Sequence, residues 1–351
     1  MLSTESYQPH NQQITAPSVW YRDDLMLTDS WRLQVSDSQV EQLHQVLIES
    51  ESIPTDQLAN RPDLLPAWRD TFAHLRDELD QGRGVVLMRG LDAERYTLEQ
   101  LKRLYWLLAT CVGTPMVQNA VGDLLGEVID RGHDYQANNV RGYTTSAALG
   151  FHCDPADVVA LLCVHPAREG GTSHIVSATA LHNEMQKHYP QYLPPLYRGF
   201  HFDLRGEGAK GDPNEVTEHR VPVFHFEENQ LSMRFNYRTI VDGMRKAGKP
   251  LKGDDLAAVD CVAELCKRPD MIVDMDFDRG DIQWLSNYDC LHARSGFTDW
   301  PEPERHRRLL RVWLNLRGGR KLRDDFTNRF NNGPKQGPKV VPGAGYWAKT
   351  R

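Results

Sequence analysis

The spacing of apolar residues changes part-way along the chain. In the first third, apolar residues recur at helical spacing in "SDSQVEQLHQVLIES" and "TLEQLKRLYWLLATCVG", and Thr97 with Gln100 forms a capping box ahead of the second segment. Between them, "GVVLMRG" (84–90) is a short apolar run bounded by glycines, which is typical of a strand. We therefore predict mixed helices and strands in this region, with helices dominating residues 1–83.

From about residue 140 the chain alternates short apolar segments with turn residues. The predicted strands are "VVALLCV", "SHIVSA", "VPVFHF", "LSMRFNY", "MIVDMDF", "GDIQWLS" and "RLLRVWLNL". Helices are predicted at "SATALHNEMQKHY" and "GDDLAAVDCVAELCKR", a mobile loop at 205–215, and an irregular tail over 318–351. Many short strands indicate a sandwich or a barrel. With no internal repeat and no long linker, residues 1–351 are predicted to form a single domain.

Composition narrows the functional class. The 351 residues carry a formal charge of −7, and the Lys and Arg residues are scattered, so neither a nucleic acid nor an anionic membrane is expected as a partner. No apolar run approaches the length of a membrane span, and the polar start lacks a signal-peptide pattern, so we expect a cytoplasmic protein. The six cysteines form no CxxC pair and are expected to be free thiols. The oligomeric state stays open, a homo-oligomer included.

Three His-x-acid pairs are candidate metal ligands, at His152/Asp154, His201/Asp203 and His225/Glu227. In an extended strand, residues i and i+2 point to the same face, which would place an imidazole beside a carboxylate. Each pair taken alone is more often structural than metal-binding.

The surroundings of the three pairs separate them. His225 and Glu227 run into a turn, where Glu227 is expected to face water, and "FHFD" at 200–203 alternates like a half-buried strand. Asp154 instead precedes the apolar run "VVALLCV", where a buried carboxylate needs a partner. We therefore expect His152 and Asp154 to bind the metal.

The third ligand is expected from the other end of the core, at His292 in "LHAR". The strand after it carries Arg307, Arg308 and Arg311. A histidine followed by an arginine on the next strand suits a 2-oxo acid that chelates a metal at one end and meets a guanidinium at the other.

The chain resembles the taurine dioxygenase-like (TauD/TfdA-type) Fe(II)/2-oxoglutarate-dependent oxygenases. The resemblance rests on "FHCD", "GGTSHIVSA", the "GD" before the distal histidine, "LHAR" and "RRLLRVWL", which together span about residues 85–317. It implies a mostly β fold with helices, built on a double-stranded β-helix (jelly-roll or cupin-like) core with an N-terminal helical embellishment. Residues 318–351 would form an irregular tail.

The resemblance also implies roles for individual residues. His152, Asp154 and His292 would bind Fe(II), Arg307 would bind the distal carboxylate of 2-oxoglutarate, and a hydroxyl of Ser173 or Thr172 would assist. Because "RHRR" leaves the register open by one position, Arg308 and Arg311 remain alternatives for the anchor. In the taurine-using relatives, an arginine four places after the anchor meets the anionic group of the substrate, which is the position of Arg311.

The expected reaction is oxidation of an sp³ carbon of a small molecule, with 2-oxoglutarate and O₂ as co-substrates and succinate and CO₂ as products. Because Asp154 is present, hydroxylation, or a related oxidation such as desaturation, is favoured over halogenation. The candidates for contact with a small anionic or amino-acid-like substrate are Gln118, Asn119, Tyr143, Arg234, Tyr237, Trp284, Arg294 and Arg311.

Two other functional classes compete with this interpretation. A mononuclear zinc hydrolase could use the same ligands, but the arginine after His292 would then have no obvious function. A non-catalytic ligand-binding β-helix protein would require the placement of the ligands and of the arginine to be coincidental.

Overall fold

The structure of the protein is a computed structural model, and it describes residues 8–137 and 140–344. The strands are β1 (Arg32–Gln34), β2 (Val85–Arg89), β3 (Thr114–Met116), β4 (Leu125–Val128), β5 (Leu149–His152), β6 (Val158–His165), β7 (Glu169–Gly170), β8 (Ser173–Ser177), β9 (Phe224–Glu227), β10 (Gln230–Met233), β11 (Val273–Met275), β12 (Ile282–Ser286), β13 (Cys290–Arg294), β14 (Phe297–Thr298) and β15 (Arg308–Asn315). The helices are α1 (Arg22–Met26), α2 (Asp37–Glu49), α3 (Arg69–Asp80), α4 (Leu98–Val112), α5 (Ala178–His188), α6 (Leu193–Arg198), α7 (Tyr237–Lys246), α8 (Asp254–Leu265) and α9 (Asp324–Thr327).

Two antiparallel sheets form the centre of the molecule. The larger has the order β1-β2-β12-β6-β15-β3, with β4 also paired to β15, and the smaller has the order β11-β8-β13-β5. All pairings in the two sheets are antiparallel except β1 with β2, which is parallel. A hairpin of β9 and β10 and a short pair of β7 and β14 lie outside the two sheets.

The two sheets pack face to face. Val159 and Trp313 of the larger sheet share one buried cluster with Ile175 and Val273 of the smaller sheet. Along β15 the side chains alternate, so that Arg307, Leu309, Arg311 and Trp313 share the face that looks at the smaller sheet. This inner face is where the candidate site lies.

Helices cover the outer faces of both sheets. On the larger sheet, α2, α3 and α4 pack on alternate residues of β6, β12 and β15, which include Trp284 and Val312. On the smaller sheet, α5 to α8 and the β9-β10 hairpin pack on Val176 and Leu291. Because both sheets are covered, their strands are apolar on both faces.

Most of the predicted elements are confirmed. The predicted helices correspond to α2, α4, α5 and α8, and α4 begins with the capping box of Thr97 and Gln100. "GVVLMRG", "VVALLCV", "SHIVSA", "MIVDMDF", "GDIQWLS" and "RLLRVWLNL" form strands. The hairpin turn after β9 is also present, with Glu228 and Asn229 at positive φ.

Some boundaries were predicted wrongly. "LSMRFNY" is a strand only as far as Met233, because Asn236 caps α7 by accepting a hydrogen bond from the Thr239 N–H. "VPVFHF" becomes a strand only at Phe224. Helices α3, α6 and α7 were missed, and α9 lies in the part predicted as an irregular tail.

Residues 205–215 are irregular, as predicted, and are fastened to the core by two buried acidic side chains, Glu207 and Glu215. Glu207 pairs with Arg141, and Glu215 Oε1 accepts a hydrogen bond from Asn331 Nδ2 at 3.0 Å. Residues 345–351 of the predicted tail lie outside the described residues. Among the helices that are described, none combines the length and the apolarity that a bilayer crossing requires.

Candidate metal centre and its cavity

Two histidines lie opposite each other on neighbouring strands. His152 is the last residue of β5 and His292 is central in β13, and the antiparallel register pairs these two positions. Their rings are tilted, with centroids 4.3 Å apart. Paired positions on one face of a sheet bring side chains close, so the strand register alone brings two of the three candidate ligands together.

Asp154 completes the group immediately after β5. One donor atom from each of His152, Asp154 and His292 lies within 4.8 Å of the others. The Nε2 atom of His152 is 3.8 Å from Asp154 Oδ1, and the Nε2 atom of His292 is 3.8 Å from Asp154 Oδ2. The Asp154 N–H donates to Asn287 Oδ1 at 3.0 Å, which ties this segment to the turn between β12 and β13.

The charge states of the three side chains suit a divalent metal. Burial lowers the pKa of His292 to about 3 and also lowers the pKa of His152. Burial alone would raise the pKa of Asp154, but the Arg311 guanidinium and the Trp313 N–H outweigh it and lower that pKa to about 2. The set is therefore two neutral imidazoles and one carboxylate, which are the protonation states that metal ligands require.

Neighbouring groups orient these ligands. His152 Nδ1 lies 2.9 Å from the Gly150 carbonyl oxygen, so Nδ1 carries the hydrogen and the lone pair is on Nε2. Trp313 Nε1–H donates to Asp154 Oδ2 at 2.8 Å, and Arg311 Nη1 lies 3.7 Å from the same oxygen. The Trp313 N–H and the Arg311 guanidinium therefore hold Oδ2 of Asp154, while Oδ1 of Asp154 faces His152.

Arg307 lines a small cavity together with His152, Asp154 and His292. Its guanidinium is 3% exposed, and Nη1 has no hydrogen-bond partner among the described residues. The only hydrogen bond of its Nη2 atom in the described chain is a long one of 3.4 Å to the Gly171 carbonyl oxygen. Gly171 has φ +75°, and a Cβ there would lie 2.8 Å from Arg307 Nε, so only glycine leaves room for this side chain.

Arg308 and Arg311 make other contacts, although Arg311 also lines the small cavity. Arg308 points to the other face of β15, where its Nε lies 3.7 Å from Glu127 Oε2. Arg311 lies between the metal centre and Gln118, whose Oε1 accepts from Arg311 Nε at 2.7 Å. Of the three arginines left open by the sequence, Arg307 alone combines a place in the small cavity with an unpartnered guanidinium nitrogen within the described chain.

The two candidate hydroxyls are also separated. Ser173 lines the small cavity, and its Oγ lies 3.0 Å from Gln283 Nε2. The Thr172 hydroxyl instead donates to Asp276 Oδ1 at 2.7 Å, outside that cavity. The structure therefore places Ser173, and not Thr172, beside Arg307.

The other two His-x-acid pairs have structural partners. His201 Nδ1 lies 2.8 Å from the Thr217 carbonyl oxygen, and Asp203 forms a 2.8 Å ion pair with Lys246. His225 Nε2 lies 3.1 Å from Glu227 Oε2, and Glu227 is exposed as expected. The segment at 200–203 forms isolated bridges rather than the predicted strand.

The predicted substrate contacts divide into three groups. Tyr143, Arg234 and Tyr237 line a second, larger cavity, and Tyr143 and Arg294 line the small one. Gln118 and Asn119 are buried behind them, where Gln118 holds Arg311 and Asn119 Nδ2 donates to the Tyr143 hydroxyl at 3.4 Å.

The prediction for Trp284 is wrong. Trp284 lies on the outer face of β12, in the apolar cluster under α2, α3 and α4. Its neighbour Gln283 occupies the inner face instead, because successive strand residues point to opposite sides.

Several residues at the site were missed from the sequence, among them Trp313, Asn287, Arg205 and Arg329. Trp313 and Asn287 position Asp154, and Arg205 and Arg329 line the larger cavity. The two-residue period from Arg307 and Arg311 could have found Trp313. Arg329 had no such signal, because it follows α9 and reaches the site only through the fold.

The family model for "Taurine catabolism dioxygenase TauD, TfdA family" matches residues 54–313. The chain belongs to this family. The family assignment made from the sequence is thus confirmed, and the protein is an Fe(II)- and 2-oxoglutarate-dependent oxygenase of the TauD/TfdA family. The zinc-hydrolase and non-catalytic interpretations are set aside.

Relatives of this TauD/TfdA family protein include a "FR-33289 synthase" from Streptomyces rubellomurinus, 28% identical over 315 residues, which are 88% of this chain and 92% of the relative. A "Taurine hydroxylase-like protein SAT17" from Stachybotrys chartarum is 23% identical and covers 71% of this chain and 65% of its own length.

Solved structures share the fold. Asparagine oxygenase in complex with Fe(II), 2S,3S-3-hydroxyasparagine and succinate aligns with a TM-score of 0.63 at 15% identity, covering 81% of this chain and 93% of that one. The non-heme iron oxygenase OrfP in complex with Fe and alpha-ketoglutaric acid aligns with a TM-score of 0.59 at 14% identity, covering 81% and 94%.

Proposed function

We propose that this protein hydroxylates an sp³ carbon of a small molecule, with His152, Asp154 and His292 as the Fe(II) ligands and Arg307 as the anchor of 2-oxoglutarate. The observation that carries the proposal is that the three ligands line one buried cavity with Arg307, whose Nη1 has no hydrogen-bond partner among the described residues. Desaturation by the same site is the alternative outcome. Succinate and CO₂ are the expected co-products.

The donor set supports Fe(II) as the metal. Two imidazole nitrogens and one carboxylate oxygen are the facial set of non-heme iron oxygenases, which leaves positions for co-substrate and dioxygen. When bound, the iron and 2-oxoglutarate would activate dioxygen for the oxidation of an unactivated carbon. The chain's part is to keep both histidines neutral, to keep Asp154 ionised, and to turn its Oδ1 toward His152 while Trp313 and Arg311 hold Oδ2.

The small cavity supports a dicarboxylate with one chelating end. The positively charged Arg307 and the Ser173 hydroxyl both line this cavity. The walls between Arg307 and the metal ligands include Leu161, Phe277 and Leu309, which suit a methylene chain. A buried, unpaired guanidinium is costly, and a carboxylate would relieve that cost by a charge-assisted pair.

The core is proposed to be the double-stranded β-helix of this family. The support is a larger and a smaller antiparallel sheet that pack face to face, with the ligands at one end of the smaller sheet. The N-terminal helices α2 and α3 pack on the outer face of the larger sheet as an addition to that core. We treat the chain as one catalytic domain.

Hydroxylation is proposed over other outcomes for two reasons. Asp154 keeps the carboxylate ligand, which the halogenating relatives lack. The asparagine oxygenase and OrfP structures hold hydroxylated amino acids together with succinate. A zinc hydrolase with the same ligands would give Arg307 no partner.

The test is an assay of succinate release with Fe(II), ascorbate and 2-oxoglutarate against a panel of small molecules, with the product mass measured in parallel. A product about 16 mass units heavier than the substrate indicates hydroxylation, and a loss of about two indicates desaturation. Full-rate conversion of a confirmed substrate with 2-oxoglutarate rigorously absent would contradict the proposal.

A further inference from the structure

A second cavity, of about 270 Å³, lies on the other side of the metal centre. His152 and Asp154 line both cavities, but Arg307 lines only the small one, so the larger cavity is separate from the proposed 2-oxoglutarate position. The larger cavity is rich in cationic side chains. Its arginines are Arg141, Arg205, Arg234, Arg238, Arg311 and Arg329.

Three of these arginines have partners that explain their position. Arg141 pairs with Glu207. Arg238 donates to the Tyr135 carbonyl oxygen at 2.6 Å, and Arg311 donates to Gln118. These side chains build the wall of the cavity.

Arg234 is different because nothing in the described chain neutralises it. It is 8% exposed, and its Nε and Nη1 atoms have no hydrogen-bond partner among the described residues. The Arg234 guanidinium lies over the Phe202 ring, with its central carbon 5.0 Å from the ring centroid. It precedes Phe235, whose carbonyl oxygen accepts from the Cys153 N–H, so it is held beside the metal-binding segment.

Arg329 adds a second buried charge next to it. Arg329 is 2% exposed, and its Nη1 donates to the Asp154 carbonyl oxygen at 3.0 Å. Its Nη2 atom has no partner within the described chain, and no described carboxylate forms an ion pair with Arg329 or Arg234. Burial of Arg234 lowers its pKa, and the nearby charge of Arg329 lowers it further.

A guanidinium stays charged in proteins, so these two buried charges persist in the ligand-free protein. The carboxylates that line the cavity do not compensate them, because Asp154 belongs to the metal centre and Asp203 pairs with Lys246. Uncompensated buried charge is strongly destabilising unless a counter-charge enters. The cavity therefore lacks an anion.

We propose that the substrate carries a dianionic phosphoryl group, a phosphonate or a phosphate monoester, that binds to Arg234 and Arg329 while its carbon chain extends toward the metal centre. Two guanidinium charges match a charge of −2, and the three unpartnered nitrogens match a group with three oxygens. A sulfonate has three oxygens but one charge, and a carboxylate has two oxygens and one charge. This inference rests on the proposed oxygenase function.

The experiment is calorimetric titration of the full-length protein under anaerobic conditions, at mildly alkaline pH. Fe(II) and 2-oxoglutarate are titrated first, followed by ethylphosphonate, ethyl phosphate, ethanesulfonate or propionate. We expect one or both of the dianions to bind about tenfold or more tightly than the two monoanions. The tighter of ethylphosphonate and ethyl phosphate identifies which source of the phosphoryl group the cavity accepts.

Variants assign the effect to the arginine. Arg234→Gln and Arg234→Met should weaken the binding of the tighter dianion by about 10- to 100-fold, whereas the exposed Arg245→Gln should leave it unchanged. Arg234→Met should also match or exceed the wild-type unfolding temperature without ligand, because it removes a buried, unpaired charge. If Arg234 had only a structural role, Arg234→Met would instead lower the unfolding temperature.

The outcomes separate this inference from the proposed function. Equal affinity for dianions and monoanions, unchanged binding in Arg234→Gln, or a destabilised Arg234→Met protein would overturn the dianion site while leaving the oxygenase intact. Failure of the first titration with Fe(II) and 2-oxoglutarate would instead overturn the proposed function. Binding of the dianion in that case would still report on the Arg234 site.

Discussion

His292 lies directly opposite His152 in the antiparallel pairing of β13 with β5, and their ring centroids are 4.3 Å apart. Residues 140 positions apart in the chain thereby become neighbours through a single strand pair. Asp154 follows β5 by two residues and is fastened by Asn287, so the third donor needs only a local turn. One strand pair and the turn after β5 therefore bring the three donors together.

Replacement of His152, Asp154 or His292 by Ala should abolish stoichiometric Fe(II) binding and the weak visible absorption band that appears with 2-oxoglutarate. Each variant removes one of the three donors, and metal affinity depends on the full set. Metal analysis and anaerobic absorption spectroscopy are the measurements. His201→Ala is the control, and a folded His201→Ala protein without iron would show that the wrong His-x-acid pair was chosen.

Arg307→Ala should raise the KM for 2-oxoglutarate on the order of 100-fold while leaving Fe(II) affinity nearly unchanged, because Arg307 supplies none of the three donor atoms. Steady-state kinetics of succinate release, together with an iron titration, measure the two effects. Arg308→Ala is the matched control, since Arg308 is the adjacent residue and points to the outer face. The reverse result for the two variants would mean that the anchor is Arg308.

Trp313→Phe should weaken Fe(II) binding by about 10- to 100-fold, because it deletes the N–H donor to Asp154 Oδ2 and keeps most of the ring volume. An iron titration in competition with a chelator measures the change. Trp284→Phe is a close control, since Trp284 is equally buried and its Nε1 has no hydrogen-bond partner in the described chain. An equal loss of affinity in both variants would mean that packing, rather than the hydrogen bond, is responsible.

The metal-free protein should lose stability as the pH falls below about 6.5, and His182 should be one cause. His182 lies away from the metal centre, and its Nε2 contacts the Tyr197 hydroxyl. Burial lowers the pKa of His182 to about 3. Between these pH values the unfolded chain binds a proton at this residue that the folded chain does not, so stability rises with pH. Each such group contributes a slope of up to about 1.4 kcal/mol per pH unit.

His182→Gln should therefore flatten the dependence of the unfolding free energy on pH between about 5 and 6.5, measured by denaturant titration in the presence of a chelator. His74→Gln, at an exposed histidine, is the control for the loss of a histidine in general. A slope that His182→Gln leaves unchanged would mean that His182 is not buried in a neutral form.

The sequence was sufficient for local features and for the chemistry of the metal centre. The helical spacing and capping box of α4 and the apolar run of β6 are local signals, which depend on backbone geometry and on burial of one face. The same holds for the choice of His152 and Asp154, because a carboxylate before a buried strand has few structural explanations. Family motifs then pointed to His292 and to an anchoring arginine among Arg307, Arg308 and Arg311.

Sequence reasoning failed for features that depend on residues far apart in the chain. Trp284 was assigned to the site, but the direction of a strand side chain depends on which sheet face is inside, and both faces of β12 carry buried apolar residues. The strand prediction for "LSMRFNY" failed because Asn236 begins a helix instead. The irregular prediction for the tail gave no reason to expect Arg329 beside Asp154.

The sequence by itself determined which residue types and which strands this oxygenase has, since these follow from local periodicity and from motifs of fixed spacing. Only the tertiary structure decided that Arg307, and not Arg308, faces the small cavity, because a shift of one residue along a strand moves a side chain to the other face. It also decided that Arg234 and Arg329 line one cavity in which the carboxylates have other partners. Charge compensation depends on distances in space, and the order of residues along a chain does not contain them.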